Sequence, residues 1–227
     1  MDVYTTTVKF FQEGGLFMYP IAIVLAVGAA IAIERWLYLT LTTAKNKALW
    51  NAVTPYLKAG NLAGAVQVTS KSHAAIGQIM TYGLNRVRSA RRREDVEQAM
   101  EESLMEVMPR LEKRTHYLAT FANIATLLGV LGTIVGLISA FTAVATANPA
   151  EKADLLSASI SVAMNTTAFG LIVAIPLLLV HTLLQTKTTE IIDSLEMASV
   201  KFLNTITERA SNEPAPAAAA PKPRAAG

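Results

Sequence analysis

"LLGVLGTIVGLISAF", residues 127–141, lies inside a run without a charged residue that extends from 118 to 147. A helix rises about 1.5 Å per residue, so a run of this length crosses the roughly 30 Å hydrocarbon core of a bilayer with residues to spare. Glycine is a weak helix former, and a threonine hydroxyl gains nothing from lipid. Gly129, Gly132, Gly136 and Thr133 therefore call for a neighbour other than lipid: a second backbone, or a polar group.

Two further stretches meet the same length rule, 14–34 and 155–185. With 52% hydrophobic and only 16% charged residues in 227, the composition is that of a membrane protein. The pattern predicts an all-α integral membrane protein with three transmembrane helices, 14–34, 118–147 and 155–185. The first stretch reads as a retained helix and not a cleaved leader, because Lys9 is the one basic residue ahead of it and Glu13 adjoins it. The chain has no cysteine, which excludes disulfides, thiolate metal sites and a cysteine nucleophile.

Basic residues set the orientation. Lys9 alone precedes the first span and Lys152 alone separates the second from the third, whereas 35–117 holds most of the 20 Lys and Arg. The positive-inside rule then places the N-terminal segment 1–13 and the 148–154 hairpin outside, and 35–117 and the C-terminus in the cytoplasm. The opening 1–13 is either a short amphipathic helix or an unstructured lead-in.

The loop 35–117 carries helical periodicity without strand-like alternation. Gly60-Asn61 ends one helix, Ser72 is placed to cap the next, and Glu94-Asp95 suit a helix N-terminus. With no cap or glycine after them, a single long helix is expected from there into the second span, kinked at Pro109. The basic run "RVRSARRRE" (86–94) has no aromatic platforms and is read as a solvated face that can touch anionic lipid; nucleic acid is not an expected partner. A cytoplasmic helix over 186–211 follows the third span, and the Pro- and Ala-rich tail 212–227 is expected to be disordered.

Within the spans, Gly132 and Gly136 form a GxxxG pair, and Ser159, Ala163, Thr167, Gly170 and Ala174 repeat at steps of three or four. These residues permit close helix packing. Counted from the hairpin, Thr133 and Thr167 reach nearly the same depth, beside Asn165 and Thr166. Their hydroxyls either bond their own helices or line a polar pore. No Asp, Glu, Lys or Arg lies inside the second and third spans, the first has none between Glu13 and Glu34 at its ends, and His181 sits near the cytoplasmic end. A proton pathway here thus needs an acid from a partner. Nothing in the sequence points to an enzyme, and no cofactor or metal is expected.

"LATFANIATLLGVLGTIVGLISAF" (118–141) and "SVAMNTTAFGLIVAIPLLLVHTLL" (161–184) resemble the two signature helices of the MotA/TolQ/ExbB proton-channel family, and "MYPIAIVLAVGAAIAIERWLYL" (18–39) resembles its first. The three-span layout is similar to TolQ and ExbB. The resemblance implies a bacterial inner-membrane homopentamer with long helices extending into the cytoplasm. Its central pore would hold a single-span ExbD/TolR/MotB-like partner that carries a protonatable aspartate, and a TonB- or TolA-like energy transducer is a further implied partner. Thr133 and Thr167 match the family's pore-facing threonines, with Asn165 and Thr166 beside them; Gly129, Gly132, Gly136, Gly170 and Pro176 fall to helix packing. Thr126 stands where the family commonly has proline, and Val162 where ExbB-type members often have glutamate. The implied function is a subunit of a proton-driven motor serving TonB-, Tol- or gliding-type work; the alternative is a non-conducting membrane scaffold.

Overall fold

The structure, a computed structural model, describes residues 14–87, 89–90 and 92–212. The expectations for 1–13, for Arg88 and Arg91 of the basic run, and for 213–227 lie outside the described residues. Among the described residues all regular structure is helical: α1 (Met18–Ala59), α2 (Leu62–Ser70), α3 (Ala75–Val87), α4 (Arg93–Glu112), α5 (Thr115–Thr146) and α6 (Lys152–Asn212). Three helical stretches are long and apolar enough to cross a membrane. The chain divides into two compact units, Met1–Thr40 with Leu111–Thr189, and Leu41–Arg110 with Glu190–Gly227.

The first unit contains the apolar parts of α1, α5 and α6. Its inward positions are mostly small: Ala122, Ala125, Gly129 and Gly132 on α5, and Ala163, Gly170 and Ala174 on α6. Beside a few buried large residues such as Met18, Ile21, Leu118 and Leu184, many of its large apolar residues point outward, with Ile23, Leu127, Phe141 and Leu179 all more than 60% exposed. A water-soluble bundle buries such side chains; a helix in lipid keeps them outside and turns its small residues inward. The turn between α5 and α6 is short, closed by the Glu151 N–H donating to the Asn148 carbonyl at 3.0 Å.

The second unit is packed as a soluble core is. Ile79, Met80, Leu84, Met100, Leu195 and Phe202 are essentially inaccessible. Gly83 makes room for this contact, since a Cβ there would lie 2.7 Å from Met100 Sδ and 3.0 Å from Phe202 Cε1. Gly60 ends α1 in the left-handed region at φ +73. The Asn61 N–H then donates to the Tyr56 carbonyl (3.0 Å) and the Gly60 N–H to that of Leu57 (3.2 Å), a Schellman closure, while Asn61 Oδ1 accepts from the Gly64 N–H (2.8 Å) to start α2.

Two expectations are corrected. Ser72 does not cap α3. Its hydroxyl accepts from the Ala74 N–H (3.2 Å), and the Ile76 N–H of the first turn donates instead to Asn46 Oδ1 (3.3 Å), a buried side chain of α1. Nor does one helix run from Glu94 into the second span. α4 continues through Pro109 to Glu112, and the break falls at Lys113-Arg114, where Arg114 takes φ 66. A non-glycine residue there costs roughly 1–2 kcal/mol, so other contacts must hold the break in place.

Candidate functional site

Those contacts come from two adjacent residues of α1. Arg35 is buried, and its guanidinium donates to the Leu111 carbonyl, one of the C-terminal carbonyls that α4 leaves without an intrahelical partner. Glu34 accepts from Arg114 at 3.0 Å, both side chains being about half exposed. The dipeptide thus grips the α4–α5 junction on both sides. Nearby, Arg35 lies over the Tyr38 ring at 4.8 Å, and Lys187 lies over the Trp36 ring at 4.5 Å while donating to Thr40 Oγ1. Aromatic rings paired with cations at the ends of apolar helices mark a membrane–water boundary. Arg35→Met is expected to lower stability by about 1–3 kcal/mol, because a buried carbonyl loses a charged donor. Glu34→Gln should change it by less than about 1 kcal/mol, since the Glu34–Arg114 pair is open to solvent. Thermal melting in detergent checks this; equal losses in the two variants would contradict it.

The α5–α6 contact is a seam of glycines. A Cβ on Gly170 would lie 2.7 Å from the Ala125 carbonyl oxygen and 3.1 Å from Gly129 Cα, and one on Gly129 would lie 3.3 Å from Thr167 Cα. Gly132 faces Thr166, whose Cγ2 would be 2.4 Å from an added Cβ, and Gly136 faces Ala163 at 3.0 Å. All four close approaches lie within one chain: the GxxxG pair serves the hairpin itself. Pro176 sits within the unbroken α6.

Four polar residues were expected on a pore wall, and they divide between two flanks. The Thr166 hydroxyl is buried, donating to the Gly14 carbonyl (2.6 Å), with the Val162 carbonyl 2.9 Å away. It therefore points to the side where the Gly14–Phe17 approach to α1 packs, as does Gly132 against Phe17. Val162, the departure from the family pattern, stands on that side too, 3.0 Å from where a Gly15 Cβ would be.

Thr167 and Thr133 are the next residues along each helix and so are turned about 100° away, toward the flank that α1 leaves open. Thr167 Oγ1 donates across the seam to the Gly129 carbonyl at 2.9 Å, and Thr133 Oγ1 donates to the Val130 carbonyl of its own helix at 2.6 Å. Gly129 precedes Thr133 by one turn, so the two hydroxyls lie within about a turn of one another. Asn165 is half-buried and turned away from Thr167 along α6.

In both threonines the single hydroxyl proton is committed to a carbonyl. What each offers to the open flank is therefore a pair of acceptor lone pairs. Such a site accepts from a protonated carboxyl group, from water or from hydronium; it does not donate to a carboxylate. Sequence reading missed Arg35 as a cap and Thr166 as a tie to Gly14. An arginine next to a glutamate at the end of an apolar run was the visible signal for the first, and no local signal exists for the second.

The comparisons with known proteins agree with this architecture. The model of the MotA/TolQ/ExbB proton channel family matches residues 71–197. A biopolymer transport protein ExbB homolog of Methanothermobacter thermautotrophicus is 27% identical over 199 residues, covering 87% of this chain and 69% of that protein. A biopolymer transport protein ExbB-like 1 of Synechocystis sp. is 29% identical over 181 residues, covering 77% of this chain and 68% of its own length.

Proposed function

We propose a function from one premise: this chain belongs to the MotA/TolQ/ExbB proton channel family, on its ExbB-like side. It is a multi-pass membrane protein and a proton-channel subunit of an energy-transducing complex. Beyond that, we propose that it assembles as a homopentamer in the bacterial inner membrane, N-terminus outside and C-terminus in the cytoplasm. The open flank of each α5–α6 hairpin would line a central pore around a single-span ExbD/TolR-like partner. A protonatable aspartate of that partner then cycles past Thr133 and Thr167, and its proton flow drives movement that a TonB- or TolA-like transducer passes to the envelope.

The observation that carries this reading is the pair of threonine hydroxyls on one flank, with their protons tied inward and lone pairs outward. A scaffold that only packs helices has no use for aligned acceptors. Acid-free spans fit the same scheme, because an acceptor surface works only with an acid brought to it. The complex taken from its native membrane by a tag on this chain, and rebuilt in vesicles, should carry protons, and the chain stripped of co-purifying single-span proteins should not. Cysteines at Asn148 and Ala90 should label from opposite membrane faces in the same preparation. A complex that assembles yet carries no protons would favour the scaffold.

A further inference from the structure

At the other end of the open flank lies a polar cavity of about 280 Å³, lined by Glu112, Thr115, His116, His181, Gln185 and Thr188 among others. Two of the chain's three histidines meet there. The α6 positions Thr167, Leu171, Ala174, Leu178, His181 and Gln185 step by three or four residues, so the cavity continues the strip that begins at Thr167. On α5, Thr133, Thr126 and Ala119 are spaced by seven residues, two helical turns, and Thr115 lies four beyond Ala119 on the same face. His181 lies about 21 Å along α6 from Thr167, at about 1.5 Å per residue, on the cytoplasmic side in the proposed orientation.

The cavity is built for water. Thr115 is only 6% exposed, and its hydroxyl has no hydrogen-bond partner among the described residues. A buried hydroxyl normally finds one, and the volume is ample for several waters. The titratable groups facing it are Glu112 from α4, His116 from α5 and His181 from α6. Of the neighbouring cations, Arg35 is held on the Leu111 carbonyl, Arg114 on Glu34, and Lys187 on Thr40 and the Trp36 ring, while Lys113 adjoins Glu112 and does not line the cavity.

We infer that this cavity is the proton exit of the channel, with His116 and His181 as relay groups and Glu112 drawing protons toward the cytoplasm; the inference rests on the proposed channel function. A neutral imidazole has one nitrogen that accepts a proton and one N–H that releases one, so it can take up a proton on one side and return another on the other. A hydrated proton on the membrane side protonates the free nitrogen of one imidazole and leaves water behind. The opposite N–H then releases its proton to the second ring, to Glu112 or to water, and proton exchange with water restores the first tautomer. No electrons move and no co-reactant is consumed.

The test uses the complex purified from its native membrane through a tag on this chain, rebuilt in vesicles containing a pH-sensitive dye. His116→Gln with His181→Gln keeps side-chain size and polarity and removes the titrating groups. Flux is expected to fall at least about tenfold, as for loss of a general acid–base group, and to lose its dependence on cytoplasmic-side pH between about 6 and 8. Oligomer size should stay unchanged. His73→Gln, which removes the third histidine from a position off this cavity, should leave flux and pH profile as they are. A double variant with wild-type flux and wild-type pH profile would overturn the inference alone. A wild-type complex that moves no protons would overturn the channel reading and this inference with it.

Discussion

Thr167→Val should slow proton-driven work about ten- to a hundredfold while leaving the oligomer assembled. Valine keeps the shape of threonine and removes both the bond to the Gly129 carbonyl and the lone pairs on the open flank. The lost bond across the seam is worth on the order of 1 kcal/mol inside a membrane, too little to dissolve the hairpin. The lost acceptor matters more: a hydrogen bond from a charged or strongly polarised donor is worth about 1.5–3 kcal/mol, and each 1.36 kcal/mol on the barrier is about tenfold in rate. Thr167→Ser, which keeps the hydroxyl, should retain function. Thr133→Val should act in the same direction with a smaller effect, since its hydroxyl bonds only its own helix. Thr142→Val is the control, a helix-bonded threonine nearer the α5–α6 turn. Proton flux and the elution volume of the complex are the two measurements. Normal flux in a Thr133→Val, Thr167→Val double variant would show that these hydroxyls only pack.

Gly170→Ala should be the most damaging single-methyl change in the spans. The new Cβ would stand 2.7 Å from the Ala125 carbonyl oxygen and 3.1 Å from Gly129 Cα, and both are backbone atoms with no rotamer to adopt. Relief requires the helices to separate, which also stretches the Thr167–Gly129 bond. Overpacking of this kind costs about 1–3 kcal/mol. Gly28→Ala is the matched comparison: its Cβ would meet Leu177 Cδ2 at 2.8 Å, the far end of a flexible side chain that can turn aside. Both substitutions bring the same helix-propensity gain of about 1 kcal/mol, so the difference between them isolates the seam. In melting experiments on the detergent-solubilised protein, Gly170→Ala should lower the midpoint clearly below that of Gly28→Ala. Equal midpoints would mean the seam is looser than its geometry.

Much of this was legible in the residues. Charge-free runs of bilayer length declare three spans because no other fold hides so many apolar residues in so few charges, and the structure has three such helices. Glycines at steps of three and four declared close packing, though periodicity could not tell whether the partner was another subunit or the neighbouring helix. The seam turned out to close within the chain. Local signals failed wherever the partner is distant in sequence. Ser72 carried the right chemistry for a cap, yet Asn46, 30 residues before the Ile76 N–H, supplies the acceptor. Pro109 was the conspicuous helix breaker, but a missing N–H only leaves one carbonyl free and α4 runs past it. The real break is held by Glu34 and Arg35, about 80 residues upstream. For the hydroxyls, depth was readable by counting and direction was not. Thr166 and Thr167 are adjacent and chemically identical, and only the placement of α1 sends one to Gly14 and leaves the other on the open flank.

The glycine seam also has a mechanical meaning. Where two helices touch through Cα atoms and carbonyls, displacement meets covalent geometry and hard-core repulsion, and the joint is stiff. Where they touch through a leucine tip, as Leu177 does at Gly28, a change of rotamer absorbs the strain, and the joint is compliant. Under a sideways load the α5–α6 hairpin would therefore move as one piece, and α1, which meets α6 at Gly28 through a side-chain tip, would give way first.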